Sequence, residues 1–150
     1  MRLILVLFLF LALGGAAPAP VPGLKTSVFA GGCFWSAEHD MEGVRGVVDV
    51  VVGYSGGARR NPTYEDHEGH LEAIRVTWDP AKTTYSDLVA AFFRNIDPTD
   101  PDGQICDIGP SYRTAVFVSD DAERRVADVR RHGGDHGIAR DGHRAHAVVG

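Results

Sequence analysis

Val28-Phe29-Ala30-Gly31-Gly32-Cys33-Phe34-Trp35 is the stretch that decides the fold. A short apolar run enters two glycines, and a cysteine with two aromatics then opens a segment carrying Phe34, Ala37, Glu38 and Met41 at spacings of three and four. That order reads as strand (residues 27–31), tight turn, and helix (residues 33–42). Cys33 then stands in the first helical turn, where free N–H groups and the positive end of the helix dipole favour thiolate over thiol. Phe34 and Trp35 beside it are flat apolar walls that could hold a small apolar group against the sulfur. A buried structural cysteine next to two core aromatics is the other reading of the same residues.

Moving outward, Gly43-Val44-Arg45-Gly46 ends the helix, and Val47–Val52, rich in β-branched residues, predicts a well-buried strand. Gly53-Tyr54-Ser55-Gly56-Gly57 reads as a flexible turn, and 58–69 as a polar loop of the kind that often carries function. His70–Trp78 predicts a strand ended by Asp79-Pro80. Thr84 is the expected cap of a helix over Tyr85–Asn95, with Leu88, Val89, Ala91, Phe92 and Phe93 as its apolar face. Residues 97–103 read as a long turn, 104–113 as irregular, 114–118 as a strand and 120–131 as a charged helix. Strand, helix, strand, strand, helix, strand is the order of an α+β fold. It predicts a split β-α-β (ferredoxin-like) antiparallel sheet with helices packed on it.

The two ends have a different character. Met1-Arg2 followed by the apolar run Leu3–Leu13 and Gly14-Gly15-Ala16-Ala17 is the pattern of a secretory signal peptide over 1–16. A membrane-spanning helix needs about 20 apolar residues, so no permanent membrane anchor is expected, and the chain is expected in a periplasmic or secreted location. Residues 17–24 are a stiff Pro-rich spacer, and 25–131 form the domain. Residues 132–150, with His132, His136, His143 and His146, read as a solvated, disordered tail; a metal-binding tract is the alternative.

The formal net charge of −5 and the absence of a Lys/Arg cluster in the body argue against a nucleic-acid binder. Only Cys33 and Cys106 are available for sulfur chemistry. In an oxidising compartment the ordinary use of two cysteines is a structural disulfide, which would make this a non-catalytic secreted domain. Four other positions stand out. Glu72 lies among Leu71, Ala73 and Ile74 on a predicted strand. Burial disfavours a carboxylate's charge, so an inward Glu72 would suit a proton donor, whereas an outward one would be an ordinary surface group. Asp107 follows Cys106, and Tyr64 and Tyr112 flank predicted elements with phenol donors. A nucleophilic thiolate with acids that protonate a departing oxygen suits reduction of an S=O bond.

At this point the sequence resembles the A-type peptide-methionine sulfoxide reductases. The resemblance runs from about Ser27 to Val118, through Gly31-Gly32-Cys33-Phe34-Trp35, Gly53-Tyr54-Ser55-Gly56-Gly57 and Asn61-Pro62-Thr63-Tyr64-Glu65. It continues in Gly69-His70-Leu71-Glu72-Ala73, Asp97-Pro98-Thr99 and Gly109-Pro110-Ser111-Tyr112-Arg113, in the family's order. The resemblance implies reduction of the S epimer of free or peptide-bound methionine sulfoxide. Cys33 is the implied nucleophile, converted to a sulfenic acid, and Phe34 and Trp35 the implied holders of the S-methyl group. Glu72 is the implied proton donor, helped by Tyr64 and Tyr112, with Asp107 as a further binding residue. Cys106 is then the only candidate resolving cysteine, giving a disulfide that a thioredoxin-like reductant would open; direct regeneration of Cys33 by an external thiol is the alternative. No metal or organic cofactor is required, and a monomer is expected.

Ser36 departs from the glycine often found after the family's tryptophan, and the loop between Tyr64 and Glu72 is short. Residues 132–150 do not resemble the aromatic-rich segment with which family members usually continue. The rivals are the stapled domain and a thiol peroxidase. A general disulfide oxidoreductase is disfavoured by the lack of Cys-x-x-Cys.

Overall fold

The structure, a computed structural model, describes residues 23–133. The expected signal peptide, all but the last two residues of the spacer, and the tail beyond Gly133 lie outside the described residues. The elements run β1 (Lys25–Ala30), α1 (Phe34–Glu42), β2 (Val47–Ser55), β3 (Leu71–Trp78), α2 (Tyr85–Arg94), β4 (Gly103–Gln104), β5 (Asp107–Ile108), β6 (Ala115–Phe117) and α3 (Asp121–Gly133). A 3-10 turn, Pro110–Tyr112, lies between β5 and β6.

Four strands form one sheet in the order β2-β3-β1-β6, with every neighbouring pair antiparallel. β3 is inserted between β1 and β2, which is the split β-α-β arrangement. Alternation along the strands sorts the two faces. Phe29, Val50, Ile74, Val76, Trp78 and Val116 meet Phe34 and Met41 of α1 and Leu88, Val89, Ala91 and Phe92 of α2 in one core. Ala30, Ala73 and Ala115 line the opposite face, with Val28, Leu71 and Phe117 packed around them. The helices therefore cover one side of the sheet, and the stacked pair Phe29–Phe92 (5.0 Å, 23°) joins sheet to helix at its centre.

Local chemistry explains the ends of the helices. Thr84 caps α2: its hydroxyl accepts from Asp87 N–H, and the Asp87 carboxylate returns a bond to Thr84 N–H, closing a capping box. α1 has no such side-chain cap; Cys33 occupies the cap position itself, with φ −63 and ψ 125.

Three expectations need correction. β2 is not well buried: it is an edge strand, with Val48 56% and Val51 39% exposed and Val50 its one buried residue, while Val47, Val52 and Tyr54 pack half-buried against the core. A β-branched run reports a strand but not its place in a sheet. Residues 53–55 are not part of a flexible turn, because β2 continues through Ser55 and the chain turns only at Gly56 (φ +86). Finally, 104–113 is more ordered than irregular. β4 and β5 pair as a small ribbon, Gln104 against Asp107, with Ile105-Cys106 at its tip.

Candidate active site

The two glycines before Cys33 are set by what presses on them. A Cβ at Gly31 would lie 3.1 Å from Phe92 Cζ and 3.2 Å from Ile96 Cγ2. One at Gly32, where φ is +72, would lie 2.9 Å from Gln104 Cβ. The turn is thus wedged between α2 and the ribbon, and Gly32 N–H donates to the Tyr112 carbonyl at 2.9 Å. Gln104 is buried and binds the 97–102 loop through both ends of its amide: Oε1 accepts from Asp97 N–H at 2.6 Å, and Nε2 donates to the Asp97 carbonyl at 2.7 Å. Cys33, Tyr112 and Asp107 are consequently carried on segments that are tied to one another.

Cys33 is half-buried and its thiol is free, as is that of the exposed Cys106. Its carbonyl accepts from Ser36 N–H and Ala37 N–H, both at 3.1 Å, so α1 begins directly after the sulfur-bearing residue. The next N–H, that of Phe34, donates to Glu72 Oε2 at 3.0 Å. Glu72 is 4% exposed and lies on the helix-covered face of β3, two residues from the fully buried Ile74. One hydrogen bond therefore joins the start of α1 to the carboxyl on the neighbouring sheet, beside Cys33.

Phe34 is part of the core, while Trp35 is 58% exposed and stands 5.2 Å from the Phe34 ring and 6.1 Å from that of Tyr64, nearly parallel to the latter. Tyr112 lies within reach of several acidic groups. The Glu72 charge first and burial second, with a further push from Asp107, raise its phenol above the ordinary tyrosine value; Tyr64 and Cys33 act in the same direction. Tyr112 is therefore an O–H donor across the neutral range. Asp107 is half-buried and borders a cleft of about 140 Å³ that also touches Gly32, Cys33, Ser36, Gln104 and Ile105. Cys106 is exposed on the ribbon tip between the cleft residues Ile105 and Asp107. Among the described residues, no three side chains of His, Cys, Asp or Glu converge as a metal site.

The structure thus gathers Cys33, Phe34, Trp35, Tyr64, Glu72, Asp107 and Tyr112 around the start of α1, and sets Cys106 on the adjoining rim. Sequence reasoning missed three residues. Tyr54 pairs with Glu72 across β2–β3. His67 stacks on Tyr54 at 4.5 Å and 17°. His70 is buried, and its Nε2 pairs with the Arg59 carbonyl at 3.1 Å, holding the polar loop against the sheet. Tyr54 was legible, since Val50, Val52 and Tyr54 continue one alternation that the supposed turn at Gly53 interrupted.

A lone thiol at a helix start, backed by a buried carboxyl and phenols on a split β-α-β sheet without a paired Cys-x-x-Cys, is a candidate site for thiol chemistry. Comparison with known proteins narrows the class. The sequence model described as peptide methionine sulfoxide reductase matches residues 25–135, and the chain belongs to that family. It is 55% identical over 114 residues to peptide methionine sulfoxide reductase MsrA 2 of Caulobacter vibrioides, covering 73% of this chain and 58% of that protein. Against the protein of the same name from Rhizobium meliloti, identity is 47% over 106 residues, covering 69% and 52%. The chain spans little more than half the length of these relatives. Among solved structures, methionine sulfoxide reductase A of Corynebacterium diphtheriae matches with a TM-score of 0.66 at 31% identity, covering 72% of this chain and 56% of that one. Mxr1 of Saccharomyces cerevisiae in its reduced form matches with a TM-score of 0.65 at 29% identity, covering 73% and 68%. Mxr1 in complex with Trx2 matches with a TM-score of 0.56 at 25% identity, covering 79% and 71%.

Proposed function

We propose that this chain reduces the S epimer of methionine sulfoxide, free or within a polypeptide, through Cys33. The observation that carries the reading is the hydrogen bond from Phe34 N–H to the buried Glu72 carboxyl, which sets a proton source beside the thiol at the helix start. Trp35 and Phe34 offer the S-methyl group an apolar wall, and Tyr112 and Tyr64 offer O–H donors to the sulfoxide oxygen. The Cys33 thiolate attacks the sulfoxide sulfur, forming an S–S bond while the sulfoxide oxygen takes the Glu72 proton. The hydroxyl so formed passes to the Cys33 sulfur as the S–O bond and the new S–S bond break, so methionine leaves with its sulfur reduced by two electrons and Cys33 is left as the sulfenic acid. Asp107, at the cleft edge, binds the polar end of the sulfoxide.

Cys106 is the proposed resolving thiol. It condenses with the Cys33 sulfenic acid, releasing water and forming a disulfide that a thioredoxin-like reductant opens by thiol exchange. Two features support this. Ile105 and Asp107 on either side of Cys106 border the cleft that Cys33 also lines. The tip is also strained, because Ile105, a β-branched residue, sits at φ +54. The yeast relative solved with Trx2 supports a reductant of the thioredoxin kind. Export of the mature chain, after removal of residues 1–16, belongs to the same proposal, and N-terminal sequencing of protein recovered from outside the cytoplasm checks it.

The test is a Cys106→Ser variant given one equivalent of S-sulfoxide peptide and a sulfenic-acid trap. The expected result is one methionine per protein, a trapped adduct on Cys33, and loss of repeated turnover with a thioredoxin-type donor. Unchanged repeated turnover would remove Cys106 from the cycle. Methionine without any Cys33 adduct would remove Cys33 as nucleophile.

A further inference from the structure

At the centre of the site one buried polar atom has no partner. Tyr54 Oη is shielded from solvent and makes no hydrogen bond among the described residues. Its ring is held firmly: His67 stacks on one side at 4.5 Å, and Phe34 packs against it at 5.6 Å and 55°. Tyr54 is the register partner of Glu72 across β2–β3, so both side chains leave the sheet on the helix-covered face. The acidic groups facing it are Glu72, Tyr64, Glu65 and Tyr112, and of the two carboxylic acids only Glu72 is buried. Leaving a buried donor unpaired costs about 1–3 kcal/mol, so a fold that keeps one beside its proton donor calls for an explanation. Packing does not supply it, because a phenylalanine would fill the same stack.

We propose that Tyr54 is a positioning residue for the proton transfer: its O–H is held in reserve for the carboxylate that Glu72 becomes when its proton leaves with the sulfoxide oxygen. The inference rests on the sulfoxide-reducing reading above. In the proton-donor role Glu72 has one donor in place, Phe34 N–H at 3.0 Å from its Oε2. After the S–O bond breaks, an anion is left on a dry strand face, where an unsatisfied charge is costly. Tyr54 O–H and Phe34 N–H then hold it from the neighbouring strand and from the helix start. The phenol acts through Glu72 and not on the substrate.

Tyr54→Phe keeps the stack and removes only the hydroxyl. Single-turnover reduction of N-acetylmethionine-S-sulfoxide amide is measured for the wild type, Tyr54→Phe, Glu72→Gln and the double variant. Methionine is allowed to accumulate for hours so that slow variants are still read. The expected result is a 10- to 100-fold slower reduction step in Tyr54→Phe, with an unchanged half-saturating concentration. In the Glu72→Gln background the same change should alter the rate less than twofold, because glutamine never becomes an anion. Wild-type speed in Tyr54→Phe overturns the inference alone. Equal losses with and without the Glu72 carboxyl also overturn it. A wild-type protein that forms no methionine contradicts the sulfoxide reading itself, and the inference falls with it.

Discussion

At the scale of single residues the account turns on Cys33 and Glu72, which belong to different elements and are joined through Phe34 N–H. Replacing Cys33 with serine removes the proposed nucleophile and is expected to abolish methionine formation. Glu72→Gln keeps the hydrogen-bonding shape but gives no proton, so the reduction step should slow by about 10²- to 10⁴-fold. Single-turnover rates check both. A further prediction concerns the tyrosines. Tyr54 is raised by burial and then by Glu72, Tyr112 by Glu72 and then by burial, and Tyr85 by burial with Glu123 and Asp120 behind it. Groups raised in the folded state add stability that is full below the unfolded value, about pH 10, and is lost as pH rises through the folded values. Phenolate absorbance of the native protein should therefore lag behind that of the unfolded chain in an alkaline titration, and stability should fall above pH 10. Coincident titrations of native and unfolded protein would contradict the burial of these phenols.

Much of this was legible in the sequence at Cys33, because two glycines followed by an amphipathic segment announce a turn and a helix start. The side of the sheet on which Glu72 falls was not legible. Leu71-Glu72-Ala73-Ile74 carries apolar residues on both faces, and the packing of α1 and α2 against Ile74, Val76 and Trp78 decides which face is the covered one.

At the scale of elements, α2 was read to within one residue, since Thr84, its capping box and the apolar face all lie in local sequence. Thr84→Ala should cost about 1 kcal/mol of stability, measured by denaturant unfolding. The Thr84 hydroxyl first, then the Thr84 backbone N–H, hold Asp87 below the usual carboxylate range; Thr99 does the same for Asp97. Depressed carboxyls contribute stability above their unfolded values, about pH 4, and that contribution is lost as pH falls through the lower folded values. Loss of stability on acidification should therefore be shallower in Thr84→Ala than in the wild type. Equal acid slopes would show that the box adds nothing to the pH dependence. The β4–β5 ribbon was not legible, because two-residue strands carry no period, and its reason for existing is non-local: Gln104 must reach both Gly32 and the Asp97 backbone.

At the scale of the whole molecule, one core holds the site together. Phe92 stacks on Phe29, touches the position a Gly31 side chain would occupy, and is 1% exposed. Phe92→Ala should destabilise the domain by about 3–5 kcal/mol and loosen the turn before Cys33, so that activity falls at temperatures where the fold still persists. Thermal unfolding and activity measured on the same samples check this; activity that follows the folded fraction alone would separate the core from the site.

The most direct test of the central claim uses reduced wild-type protein without residues 1–16 and one equivalent of a methionine sulfoxide peptide, as the S and the R epimer separately. The account predicts one methionine per protein from the S epimer, almost none from the R epimer, and a new Cys33–Cys106 bond in the peptide map. Folded protein that forms no methionine from either epimer, or reduces both alike, would contradict it.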